Sequence, residues 1–100
     1  MQEKKQGSSK KFMKTFMLSI ITDLKTIFSG QAEYCNIVTV SGSMGFEAYH
    51  EPFLGVLQDN SELSYTDGNG KIYTVALESG IISFKNNSCT ITGIIQGKDK

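Results

Sequence analysis

The chain is poor in the side chains from which most catalytic and metal chemistry is built. Its 100 residues hold two cysteines, a single histidine and a single proline, and ten basic side chains balance ten acidic ones. Balanced charge gives no electrostatic reason to expect nucleic acid, because phosphate binding draws on a local excess of lysine and arginine. Cys35 and Cys89 stand far apart, with no Cys-x-x-Cys and no histidine at ligand spacing. A structural zinc site takes about four such ligands, so no metal is expected. Both cysteines fall where alternation places strand residues. They read as small buried apolar side chains in a reducing compartment, not as a disulfide.

Catalysis finds no better footing. His50 would need a nucleophile and an orienting carboxylate beside it, yet there is no Gly-x-Ser-x-Gly elbow, and in an extended chain Glu51 points away from its neighbour. His50 therefore reads as a partly buried loop histidine bonded to backbone. A carboxylate pair would have to be assembled from Asp59, Glu62, Asp67 or Glu78, all in or beside turns, where acids are common for local reasons. Gly68 and Gly70 lack the following Lys-Ser/Thr and helix of a phosphate loop. No enzyme, cofactor or small-molecule signature survives. The apolar run from Phe12 to Ile21, behind Lys10-Lys11, superficially looks like a signal peptide. Lys14 interrupts it, Asp23 and Lys25 follow, no small-x-small cleavage site appears, and it is too short to span a bilayer. It reads as a strand, and the protein as cytosolic.

What is present is a period of two. Hydrophobic residues make up 39% of the chain, enough for one modest core at this size. Residues 1–11 read as a disordered polar leader, 12–95 as one β-domain and 96–100 as a polar tail. Phe16, Leu18 and Ile20 share one face of the first strand, and Thr22-Asp23-Leu24-Lys25 is a turn in which Asp23 is able to bond its own downstream backbone. Thr26-Ile27-Phe28 re-enters as a short strand, with Ser29-Gly30 breaking it as a bulge or corner, and 32–40 is a longer run of sheet formers. A short strand from Phe53 to Leu57 is turned by Asp59-Asn60-Ser61. Asp67-Gly68-Asn69-Gly70 is the strongest hairpin signal, Glu78-Ser79-Gly80 is a further break, and Asn86-Asn87 turns the last pair. Eight or nine short strands with no helical stretch argue an antiparallel sandwich or flattened barrel. Between Gly42 and Leu54 lie two glycines three apart, then His50 and Pro52. This reads as a tight structured connection between two β regions.

The motifs Phe16-x-Leu-x-Ile-Ile-Thr, Ile27-Phe28-Ser29-Gly30, Gly42-x-x-Gly45 with His50-x-Pro52, and Ser79-Gly80-Ile81-Ile82-Ser83-Phe84 before Cys89-Thr90-Ile91-Thr92 keep consistent spacing. Together they resemble the N-terminal β-domain of the epsilon subunit of F-type ATP synthases, without gaps over roughly residues 16–92. The resemblance implies an all-β, antiparallel flattened β-sandwich or barrel of about ten short strands. It also implies a non-catalytic rotor subunit, peripheral on the cytoplasmic side of the membrane, that holds the gamma subunit on one face and meets the c-ring at its loop end. Direct membrane insertion is not implied. Carried over by position, Gly42, Ser43, Met44 and Gly45 match the turn that approaches the c-ring, His50 the histidine on the gamma-facing side, and Pro52 the residue that sets chain direction behind it. The chain departs from the family in three places. Ser43 replaces a frequent acid, Ala48-Tyr49 replaces Pro-Gly, so that turn is expected to be built differently, and Glu51 replaces a small residue. Many members continue into a helical hairpin where this chain stops, so the expectation is a sandwich-only member without helix-mediated inhibition or ATP sensing. The alternative is a stand-alone β-sandwich binding module that keeps the fold outside any synthase. A stalk role requires an exposed apolar patch on one sheet face. With Met44 at a loop tip, a charge there is expected to weaken ring association more than folding.

Overall fold

Phe16, Leu18 and Ile20 are fully buried while Met17 and Ile21 between and beyond them face out, the two-residue alternation that makes a half-buried strand. The same logic repeats along the chain. The computed structural model describes residues 14–95, so the polar leader, the start of the apolar run at Phe12 and the polar tail lie outside the described residues. Those residues form seven strands: β1 (Phe16–Thr22), β2 (Thr26–Thr39), β3 (Gly42–Phe46), β4 (Phe53–Val56), β5 (Ser61–Asp67), β6 (Ile72–Lys85) and β7 (Ser88–Ile95). No helix occurs among them.

Seven strands stand where about ten were expected because two of them, β2 and β6, each run for 14 residues and serve both layers. The first part of β2 pairs with β1, its middle with β5 and its end with β3. Likewise β6 pairs with β5 through Ile72–Leu77 and with β4 through Ile81–Phe84. Such strands turn the corner of a sandwich by bending, and the bends are marked by bulges. The register shifts between Ala32 and Tyr34 against β5, leaving Glu33 as the extra residue, and between Leu77 and Ser79 against β7, leaving Glu78. Ser29-Gly30, expected as a break, instead continues β2 in unbroken pairing with Ser19 and Leu18. At Glu78-Ser79-Gly80 the strand likewise bulges rather than stops.

The sheet closes. Strands β1, β7, β6, β5 and β2 pair in that order, and β2 pairs back to β1. A ring of an odd number of strands cannot alternate direction throughout, and here the exception is β1–β7, which is parallel. Every other pair in the sheet is antiparallel, as expected. Inside lie Phe16, Phe46 and Phe84, each at most 1% exposed, with the Phe84 ring centroid 5.4 Å from that of Phe16 and 5.7 Å from that of Phe46. Burying each such side chain is worth about 1.5–3 kcal/mol. The 22–25 turn forms as read, and the Thr22 hydroxyl helps to close it. It accepts the amides of Leu24 and Lys25 and donates to Lys25 O at 2.8 Å.

Candidate functional site

The stretch from Gly42 to Leu54 divides into a strand, a turn and a second strand. Residues Gly42–Phe46 are not a loop but β3, paired with Cys35–Thr39 of β2. The reversal is one step earlier, at Val40–Ser41. There the Thr39 hydroxyl accepts the Ser41 amide and donates to Gly42 O, both at 3.0 Å. Gly42 has φ 124°, a backbone conformation that glycine takes without penalty. Gly45 serves a different end. A Cβ on it would overlap the Tyr34 hydroxyl and come within 2.7 Å of Tyr34 Cζ, so the glycine lets the tyrosine ring lie across the strand. Ser43 is exposed. Met44 pairs with buried Ile37 and packs against the core, which corrects its placement at a loop tip. The exposed tip residue is Val40, at 70%.

Glu47 to His50 form a turn closed by the His50 amide donating to Glu47 O at 3.2 Å. His50 is half-buried, with its ring 4.5 Å from that of Phe46 and 5.6 Å from that of Phe84, and Nδ1 2.7 Å from Glu51 O. That is the backbone-bonded loop histidine the sequence suggested. Pro52 is exposed and leads into β4. The residue that sequence reasoning undervalued is Asn87. It was read only as a turn residue, and its φ of 58° fits that. Its side chain also accepts the Tyr49 amide at 2.7 Å and donates to Thr15 O at 3.0 Å, tying the 47–50 turn to the start of β1. No local pattern signals such a tie, because it joins three distant segments.

The structure brings His50 and Pro52 together at one end of the β4–β6 pair but leaves Gly42–Met44 on β3. The larger surface feature is a sheet face. Register sets Val56, Ile81, Thr92 and Ile21 in one row across β4, β6, β7 and β1. Leu54, Ser83, Thr90 and Ser19 make the next. These rows contain no charged residue. Leu54 is 74% exposed, Val56 55% and Ile81 51%. A shallow depression of about 410 Å³ between Val56, Ile81, Thr92 and Ile94 is floored by Gly80 and Gly93. The opposite layer presents Asn36, Ser64 and Thr74 in one row and Tyr34, Thr66 and Ile72 in the next, a more polar mixture in which Ile72 is the one exposed aliphatic residue of these rows. The apolar patch expected on one face is therefore present, on one face.

Cys35 and Cys89 are free and buried. Burial, and for Cys35 also the neighbouring Cys89, pushes both thiols up to about 12. They are neutral packing groups. Among the described residues no group of three or more His, Cys, Asp or Glu is placed to hold a metal, and no helix is long and apolar enough to cross a membrane.

Residues 15–93 match the family model described as ATP synthase, Delta/Epsilon chain, beta-sandwich domain. The chain is similar to the ATP synthase epsilon chain of Clostridium novyi, 33% identical over 78 residues that make up 78% of this chain and 59% of the relative. It is similar to that of Neisseria meningitidis, 23% identical over 79% of this chain and 56% of the relative. The aligned part thus spans under two-thirds of these relatives' length. Among solved structures, a chain of the Euglena gracilis mitochondrial ATP synthase (OSCP/F1/c-ring) superposes with a TM-score of 0.74 at 20% identity, over 80% of this chain and 51% of that one. A chain from the Tetrahymena thermophila mitochondrial ATP synthase central stalk/c-ring does so with 0.65 at 16% identity, over 78% and 62%. At such identities the likeness is one of fold.

Proposed function

Since the chain belongs to the β-sandwich domain family of ATP synthase delta/epsilon chains, we propose that it is a non-catalytic central-stalk subunit of an F-type, proton-translocating ATP synthase. In this reading it binds the gamma subunit through the outer face of β4, β6, β7 and β1. It meets the c-ring through the β2–β3 hairpin and sits peripherally on the cytoplasmic side of the membrane. The observation that carries the reading is the uncharged, apolar row through Val56 and Ile81 beside Leu54. Exposed contiguous apolar surface is costly to leave in water and marks a docking face. A closed sheet around a packed core resists deformation, which suits a part that transmits torque without chemistry of its own. Of the residues assigned by resemblance, Gly42 and Ser43 stay at the ring-facing hairpin, with Val40 and Ser41 now forming its tip. Met44 supports that hairpin from the core side, and Gly45 lets the Tyr34 ring lie across its outer face. His50 and Pro52 lie at the end of the proposed gamma-binding face.

Site-specific photo-crosslinking in the protein's own cells tests the reading. A crosslinker at position 81 or 56 is expected to capture the gamma subunit, and one at position 40 a ring subunit, while one at Thr74 on the polar face captures neither. Equal capture of unrelated proteins from both faces would reject it in favour of a stand-alone binding module.

A further inference from the structure

The turn that carries His50 holds a residue that local chemistry opposes. Tyr49 is the third residue of the Glu47–His50 turn and has φ 67°, while Ala48 is not among the residues of positive φ. That combination is a type II turn, whose third position favours glycine. A bulky side chain in left-handed backbone persists only where its surroundings hold it there. Here the hold is the bond from the Tyr49 amide to Asn87 Oδ1 at 2.7 Å, with Asn87 itself anchored to Thr15 O and, through its own carbonyl, to the Met17 amide at 3.1 Å. The arrangement adds nothing to the core, for Tyr49 is 69% exposed, with the Lys14 ammonium 5.8 Å from its ring centroid. Glu47 and Glu51 flank it, both exposed, while Ala48 and His50 are half-buried. Among the described residues neither carboxylate takes part in an ion pair.

We infer that Tyr49, with Glu47 and Glu51, is a recognition tip for an arginine-bearing loop of a protein partner. A presented aromatic ring with an exposed carboxylate two residues away on either side matches a guanidinium, which stacks on a ring face and bonds a carboxylate in two-point fashion, as a lysine ammonium does not. Lys14 stands over one face of the ring, and the guanidinium takes the other. Buried aromatic anchors of this kind dominate interface energetics. The inference rests on the stalk-subunit reading only for the identity of the assembly that supplies the arginine loop.

The test uses the full chain and, as probe, the ATP synthase purified from the same cells and depleted of this subunit, with affinity and melting temperature measured together. Tyr49→Gly and Tyr49→Asn both suit left-handed backbone. Both are expected to raise the melting temperature or leave it unchanged while weakening binding roughly tenfold or more. The Glu47→Gln/Glu51→Gln double variant is expected to bind more weakly and to lose part of the salt dependence of binding. Wild-type affinity in both Tyr49 variants overturns the inference and leaves the stalk reading intact, since Leu54→Glu on the sheet face still abolishes binding. A lower melting temperature for Tyr49→Gly shows that the ring supports the fold, and also overturns it. A wild-type chain that fails to bind the depleted enzyme overturns both readings.

Discussion

Val40 and Met44 belong to one hairpin, yet a charge has opposite consequences at the two. Met44 packs against the core, and a carboxylate there must be desolvated or must pull the strand away. Met44→Asp is expected to destabilise by about 2–3 kcal/mol. Val40 is 70% exposed at the turn, and Val40→Asp should shift stability by no more than about 0.5 kcal/mol. Urea denaturation of the two variants checks the contrast. The buried thiols give a second expectation. Cys35 and Cys89 stay neutral in the fold up to about 12, whereas an unfolded cysteine ionises near pH 8.5. Their raised values mean that the contribution is intact below the unfolded value and is lost as pH rises toward the folded one. Tyr65, raised chiefly by burial, acts in the same direction. The urea midpoint should therefore fall as pH climbs above about 9, with both thiols resisting alkylation until the chain unfolds.

At the scale of elements, the hairpins were legible and the corners were not. Asp67-Gly68-Asn69-Gly70 announces its turn in four residues, and the structure adds only the means. Asp67 Oδ1 accepts the amides of Asn69 at 2.9 Å and Lys71 at 3.0 Å. The Lys71 amide, then that of Asn69, holds the carboxyl below its ordinary value. A lowered value means that the lock is complete above the unfolded carboxylate pKa and loosens as pH falls through the folded one. Amide exchange measured by NMR should quicken at Asn69 and Lys71 in Asp67→Ala, and in the parent only on acidification. By contrast, nothing near Glu33 or Glu78 distinguishes a bulge from a strand end, because a register shift depends on which distant strand lies alongside. Ser29-Gly30 has the composition of a break but is paired on both residues by β1, so tertiary pairing overrode local preference. The site was legible to a similar degree. His50 and Pro52 were placed correctly in a loop, whereas Gly45 was read as a turn glycine when its role is to clear space for Tyr34. The tie through Asn87 joins residues too far apart in sequence for any spacing to reveal. Ala48-Tyr49 was expected to demand a different turn. Instead Tyr49 takes the left-handed conformation itself.

As a whole the described chain is a flat body, 52 × 30 × 19 Å, with unlike faces. One layer turns out hydroxyls, amides, a few rings and Ile72, while the other turns out Leu54, Val56, Ile81, Ile94 and Ile21 with no charge among its central rows. That asymmetry follows from strand parity, so it was implicit in the alternation once register was known. It is also the property on which the stalk assignment stands. The decisive measurement is co-purification of the tagged full chain from its own cells in mild detergent, with mass spectrometry of what accompanies it, beside a Val56→Glu/Ile81→Glu variant. Far-ultraviolet circular dichroism of both chains confirms that the variant keeps its sheet. Recovery of gamma together with alpha and beta subunits by the parent, and their loss from the folded variant, is the predicted result. Recovery of none of these subunits by the parent, or equal recovery by the variant, would contradict the account.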